Sequence, residues 1–217
     1  TWGGINQVIT NYPGESFGKW FPDTFDIVLL DAPCSMENLR PTPNHPLRET
    51  STDERLRLKE RQIQLLTSGL QTLKPSGQLV YATCSLAPEE DEAVISTLLD
   101  KYPGVFEIED VSKQFQFKAP GLTGFEGETY HRELIKALRL WPHLTNMSGF
   151  FCALITKHRG IDANNEPAPN RNFSATHLES LKRDIKTQIL DQIKINYGLD
   201  LEKVLDAHAL ELFQRFD

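Results

Sequence analysis

An α/β fold built around parallel strands is what this 217-residue chain predicts. Two short apolar runs, residues 26–30 and 78–83, have the composition of parallel strands covered on both faces. Between them, leucines and isoleucines at 56, 63, 66, 70 and 73 keep a helical period. The order strand, helix, strand implies a right-handed parallel crossover, which puts both strand ends on one edge of the sheet. Each run ends in a cysteine, Cys34 after Asp31-Ala-Pro and Cys84 after Ala82-Thr.

The elements follow from local chemistry. Residues 7–11 read as a short strand closed by a turn at Pro13-Gly14. The strand 26–30 leads into residues 36–53, which are rich in Pro, Asn, Thr and Arg without sustained period, the mark of a long functional loop. A helix is expected over about 52–73 and is stopped by Lys74-Pro-Ser-Gly77. Strand 78–83 comes next. Pro88 then opens a helix whose first turn carries Glu89, Glu90, Asp91 and Glu92, matched to the positive end of the helix dipole, and Tyr102-Pro-Gly104 ends it. Residues 106–111 and 148–156 are further strands, and 112–147 lack a regular pattern. A polar linker over 159–173 leads to helical periodicity from 174 to 197. Gly198 breaks it, and a short helix from 201 runs to the end. This divides the chain into a domain over 1–158, a linker over 159–173 and a helical appendage over 174–217.

Composition narrows the function classes. The 39% hydrophobic content supports a buried core, and a net charge of -7 argues against a protein that binds nucleic acid over its whole surface, while leaving room for a local basic groove. Three cysteines, an odd number, point to a reducing cytosol rather than a disulfide framework, and no metal-ligand spacing is present. No run reaches the ~18 apolar residues of a membrane span. The opening residues carry neither an initiator methionine nor a signal peptide, and they read as a chain entered midway.

In an open α/β sheet, ligands bind outside the carboxyl ends of the strands, so Cys34 and Cys84 aim at one crevice. A free thiol is mostly protonated at neutral pH, and a catalytic one needs a helix N-terminus or a positive neighbour. The helix expected from Pro88 offers Cys84 such a terminus, although residues 89–92 oppose its field. Taken alone, Cys84 also suits a small core residue. Pro33 stiffens the turn that holds Asp31 against Cys34, and the Asp31 carboxyl can accept a hydrogen bond from an amino group.

The motifs Asp31-Ala-Pro-Cys-Ser35, Arg61-Gln62, Leu73-Lys-Pro-Ser-Gly77, Ala82-Thr-Cys-Ser85, Pro88-Glu-Glu-Asp-Glu92, Arg139-Leu-Trp-Pro-His143 and Gly149-Phe-Phe151 together resemble the RNA cytosine-5 methyltransferases of the Sun and Nop group, over about residues 5–157. The resemblance implies a Rossmann-like methyltransferase sheet whose N-terminal strands are missing, with a C-terminal helical appendage. It implies methylation of carbon 5 of cytosine in RNA, ribosomal RNA first and transfer RNA second, with S-adenosyl-L-methionine as cofactor, in the cytoplasm. Cys84 matches the nucleophile that adds to carbon 6, and Cys34 the thiol linked to release. Asp31 matches the acid at the base edge beside the cofactor. The glycine-rich turn that opens the family's cofactor site has no counterpart here, so these residues alone are not expected to bind the cofactor well. Pro13 stands where relatives often carry an aspartate near the adenine, leaving that contact to neighbouring backbone or Asn11. Met36 replaces a usual glycine.

Arg40, His45 and Arg48, on the loop beside Cys34, are the candidate RNA contacts. Arg55, Arg57, Lys59 and Arg61 alternate with glutamates and suit a solvated helix face. Trp141 and His143 suit bracing of the last strand, with stacking near the target base as the alternative, and Cys152 suits a core position. A non-catalytic RNA-binding or assembly protein that kept the fold is the alternative from another class.

Overall fold

The computed structural model describes residues 8–37, 50–111, 114–115, 119–169, 178–207 and 212–215. The chain divides into two compact units, Thr1–Ala168 and Pro169–Asp217. In the first unit a 3-10 turn, Gly14–Ser16, runs into the short helix α1 (Phe17–Trp20). Then come β1 (Phe25–Asp31), α2 (Thr52–Thr72), β2 (Leu73–Thr83), α3 (Glu92–Lys101) and β3 (Phe106–Glu109). A hairpin of β4 (Gly124–Phe125) and β5 (Glu128–Thr129), a 3-10 turn at Arg132–Lys136, β6 (Leu138–Leu140), α4 (Pro142–Thr145) and β7 (Phe150–Lys157) complete it.

The main sheet runs β1-β2-β7-β3, with β6 also on β7. β1 and β2 are parallel, with Asp31 opposite Ala82. β7 is antiparallel to every neighbour: Ala82 pairs with its Cys152 on one side, while β3 takes 154–157 and β6 takes 150–152 on the other. Two parallel-running strands, β2 and β3, therefore flank a reversed one.

α2 forms where the period predicts it. Ser51 caps its N-terminus by accepting from the Glu54 N–H at 3.3 Å, and Gln62, Leu65, Leu66 and Leu70 form its buried face. That face and α3 (Val94, Ile95, Leu98) cover Leu79, Tyr81, Phe151 and Ile155 of the sheet in one core. Burial of so many large side chains, each contributing about 1.5–3 kcal/mol, is what fixes the strand ends relative to α2.

Several expectations need correction. Residues 8–11 form no strand, and Val8 and Ile9 are exposed. β1 is not covered on both faces: Val28 and Leu30 pack on the core, but Ile27 and Leu29 on the opposite face are 75% and 74% exposed. β2 begins at Leu73 rather than 78, because the Pro75-Ser76 segment is taken up as a bulge, with Ser76 at φ 67° and the register broken between Phe25 and Ile27. α3 starts at Glu92, four residues after Pro88, since residues 88–91 turn inward instead of winding up the helix. Within 112–147, β6 is regular because it adds to the β7 edge.

The second unit contains β8 (Leu178–Ser180), α5 (Arg183–Tyr197), α6 (Leu201–Ala207) and β9 (Phe213–Arg215). Gly198 ends α5 at φ 66°, as a C-terminal glycine should. The expected helix start at 174 lies outside the described residues; 178–180 pair antiparallel with 213–215 as β8 and β9, α5 begins at Arg183, and 213–215 are strand where helix was expected. Among the described residues no helix is long and apolar enough to cross a membrane.

Candidate active site

The thiols of Cys34 and Cys84 lie 2.7 Å apart, sulfur to sulfur, just past the ends of β1 and β2. Parallel pairing of the two strands is what creates this contact: with Asp31 in register with Ala82, the turns that follow run side by side. Both cysteines are free and half-buried. Asp31 is the exposed last residue of β1, close enough that its charge acts on Cys84. The sheet thus brings the three residues to one edge.

The electrostatics run against the expected helix-dipole assistance. Burial, the hydrogen bond shared with Cys34 and that residue's charge push the Cys84 thiol up to about 12, and Asp31 adds to the rise. α3 opens only at Glu92, eight residues beyond Cys84. Cys84 is therefore a neutral thiol in this state. Cys152, in mid-β7, is half-buried rather than fully enclosed, and desolvation raises its thiol as well.

The acidic run behind Cys84 is a buried scaffold, not a dipole match. Glu90, Asp91 and Glu92 are fully buried, as is Arg139 of β6. Glu92 takes Nε and Nη2 of Arg139, Nη1 donates to Leu86 O at 2.9 Å, and the guanidinium lies over Trp141 and Phe151 at 5.3 and 5.7 Å. The Trp141 ring, besides meeting the Arg139 guanidinium, stands 6.1 Å from that of the exposed His143. Asp91 accepts from Thr83 Oγ1 at 2.6 Å, while burial drives its carboxyl well above the usual range. Asp91 Oδ2 stands 3.5 Å from Arg139 Nη2, beside the pair that Glu92 makes with the same guanidinium.

Glu90 reaches the other way. Its carboxylate accepts from the Ser35 N–H at 2.8 Å, Gln62 Nε2 at 3.2 Å and Ser85 Oγ at 3.2 Å. Sequence reasoning missed Glu90 and Gln62 as site residues. The available signal was a glutamine on the apolar face of α2, one turn before Leu66.

The remaining candidates are less central. Asn11 and Pro13 are exposed and precede the 3-10 turn, which is held on α2 where Ser68 donates to Gly14 O at 2.7 Å. Arg40, His45 and Arg48 lie outside the described residues. Arg55 and Arg61 are engaged with Glu37 at 2.7 Å and Glu15 at 2.8 Å, in keeping with a solvated face.

Comparison with known proteins extends these observations. A ribosomal RNA small subunit methyltransferase F from Aeromonas hydrophila subsp. hydrophila is 35% identical over 159 residues, covering 73% of this chain and 31% of the relative. One from Klebsiella pneumoniae (strain 342) is 35% identical over 177 residues, covering 82% and 35%. The chain thus spans about a third of the length of these curated relatives. Among solved structures, a methyltransferase homolog from Pyrococcus horikoshii is 38% identical with a TM-score of 0.51, covering 61% of this chain and 39% of that one. NSun6 from the same organism, solved with SFG, has a TM-score of 0.53 at 24% identity, covering 69% and 34%, and shares the fold. These neighbours support a Rossmann-like methyltransferase sheet followed by C-terminal helices. The family model for 16S rRNA methyltransferase RsmB/F matches residues 3–156, a span that holds both cysteine motifs and the whole buried scaffold behind them, and the chain belongs to that family.

Proposed function

We propose that this chain carries the reacting groups of a cytoplasmic enzyme that methylates carbon 5 of cytosine in ribosomal RNA. The observation that supports the reading most is the pair of sulfurs 2.7 Å apart at the carboxyl ends of adjacent parallel strands, where α/β sheets bind ligands. Folding alone does not call for two free thiols and an exposed acid at one sheet edge.

Carbon 5 of cytosine is a weak nucleophile. Cys84 loses its thiol proton to solvent as Sγ adds to carbon 6, so a C–S bond replaces the S–H bond and the 5,6 electron pair moves onto carbon 5, which then takes up a methyl group. S-adenosyl-L-methionine supplies that methyl when bound. Asp31, exposed at the end of β1, is the residue that would lie beside it and contact the edge of the base. Asn11 and Pro13 are the further candidates to line the site. Loss of the carbon 5 proton restores the double bond and expels Cys84, and Cys34 serves that step. The base is read unstacked, since a stacked cytosine exposes neither face. Arg40, His45 and Arg48 remain the candidate RNA contacts, and transfer RNA is the second substrate class.

A non-catalytic RNA-binding protein is the competing reading, and it is favoured by the burial of Cys84, which raises the thiol and disfavours the reactive thiolate. One experiment separates the two. The full-length protein is incubated with labelled methyl donor and bulk RNA, alone and with Cys34→Ala or Cys84→Ala. The enzyme reading expects label in 5-methylcytosine, loss of transfer with Cys84→Ala, and a denaturation-resistant RNA–protein adduct with Cys34→Ala alone. Absence of both transfer and adduct favours the binder.

A further inference from the structure

We propose that Glu90, working with Gln62, is the positioning residue that sets the separation of the two thiols. The two cysteines belong to turns 50 residues apart. Something must hold those turns in contact where the strands no longer pair.

The hydrogen bonds around Glu90 do this. Oε2 accepts from the backbone N–H of Ser35, the residue after Cys34, at 2.8 Å. Oε1 accepts from Oγ of Ser85, the residue after Cys84, at 3.2 Å. One carboxylate therefore clasps both thiol turns. Gln62 adds a third point: its Nε2 donates to Pro33 O at 2.8 Å and to Glu90 Oε2 at 3.2 Å, so Cys34 is tied on both sides. The donor end of that amide faces two oxygens, which fixes its orientation, and the opposite atom, Gln62 Oε1, is buried without a hydrogen-bond partner. Ser85 Oγ also accepts from the Ala87 N–H at 3.0 Å and lies 3.4 Å from Ser35 Oγ.

The clasp has a rigid base. Tyr81 of β2 donates its hydroxyl to Glu90 O at 2.7 Å, and the next two residues are locked to Arg139 and Thr83. Glu90 and Gln62 are fully buried, so solvent does not compete for these bonds. Neither touches a reacting atom, and their effect passes through Ser35, Pro33 and Ser85. On the reading of Cys84 as nucleophile and Cys34 as release group, losing the clasp separates attack from release.

The test has two readouts, and only the second rests on the methyltransferase reading. Dibromobimane becomes fluorescent when each of two neighbouring thiols has displaced one bromide, and mass spectrometry of the digested product identifies the bridged peptides. In the full-length protein, bridging of Cys34 to Cys84 is expected to fall about tenfold in Glu90→Leu and about threefold in Gln62→Met, relative to single alkylation of Cys84. Glu90→Gln, whose amide can still accept from Ser35 and donate to Ser85, is expected to restore most of it. The second readout is the denaturation-resistant RNA adduct, which is expected to accumulate in Glu90→Leu as the release step slows. Wild-type bridging in folded Glu90→Leu overturns the proposal, and if that variant does not fold, wild-type bridging in Gln62→Met does so. Lost bridging with no adduct in any variant leaves the clasp standing and removes the methyltransferase reading instead.

Discussion

The Cys84 thiol, held near 12 against an ordinary value of 9.0, makes a prediction that is unusual for a proposed nucleophile. At pH 7.5 a shift of about three units leaves roughly a thousandfold less thiolate than an ordinary cysteine has. Thiolates of higher pKa are intrinsically more nucleophilic, with a Brønsted coefficient of about 0.4–0.5, which returns roughly a factor of 15–30. Alkylation of Cys84 by iodoacetamide should therefore run about 30–70 times slower in the folded protein than in urea, before any steric slowing. Its rate should keep climbing with pH beyond 9 rather than levelling off there. Cys34→Ala removes the second and third causes of the shift but not desolvation, the first, so it should speed alkylation several-fold without reaching the unfolded rate. The site-specific rate is read by mass spectrometry of the peptide containing residue 84. The linkage sign follows: a thiol whose folded pKa is raised keeps its proton where the unfolded chain has lost it, so the stability from Cys84 is complete below about 9 and declines as pH rises toward about 12. A folded protein that alkylates at the unfolded rate at pH 7.5, or a Cys34→Ala variant no faster than wild type, would refute the account of the site's electrostatics.

Three further outcomes are expected. Glu92→Gln strips Arg139 of its salt-bridge partner inside a fully buried pair and should cost about 3–5 kcal/mol in urea denaturation, whereas Asp91→Asn should cost less than about 1 kcal/mol. Because the Asp91 carboxyl is raised, the folded chain holds a proton that the unfolded chain releases above about pH 4, and wild type loses stability relative to Asp91→Asn as pH increases from there; parallel stability curves for the two proteins between pH 4 and 8 would contradict this. Met36 sits at φ 56°, where a side chain is strained by about 1–2 kcal/mol, so Met36→Gly should raise the urea midpoint by an equivalent of about 0.5–1 kcal/mol after the added flexibility of the unfolded chain. Asp31→Asn should act in opposite senses on two assays, speeding Cys84 alkylation by removing a charge that opposes the thiolate while slowing methyl transfer.

Much of the first unit was legible because its signals are local and repeated. The helical period fixed α2 to within a residue of its observed end, and the apolar runs located β1, β2 and β7. The approach of the two thiols was legible too, since parallel pairing through a crossover helix constrains where strand ends go. What failed were judgements that depend on distant partners. The exposure of Ile27 and Leu29 depends on what covers one face of β1, which their own composition does not encode. The run 89–92 resembles the first turn of a solvated helix, yet Arg139, 47 positions beyond Glu92, draws it into the interior. Gln62 looked incidental within a helical pattern because the groups it holds, Pro33 O and the Glu90 carboxylate, come from two other segments. At residues 178–180, pairing with a strand more than thirty positions further on replaces the helix that the local period suggests, while the same period does give α5 and α6 in between.

A protonated nucleophile is compatible with the proposed chemistry once timing is considered. Alkylating agents, peroxides and disulfides react with thiolates, so a cysteine held neutral by its surroundings is protected from them while the site is empty of substrate. Addition to a pyrimidine needs the proton to leave only as the C–S bond forms. Once the C–S bond exists the sulfur is a neutral thioether, so the desolvation that opposes a thiolate no longer applies, and Asp31 can accept a hydrogen bond from the amino group of the base. The same arrangement explains why the separation of the two sulfurs matters more than either pKa. A Cys34 thiol 2.7 Å from Cys84 stabilises the resting pair through a hydrogen bond and stands beside the ring carbons once the adduct exists, but only while Glu90 keeps the two turns together.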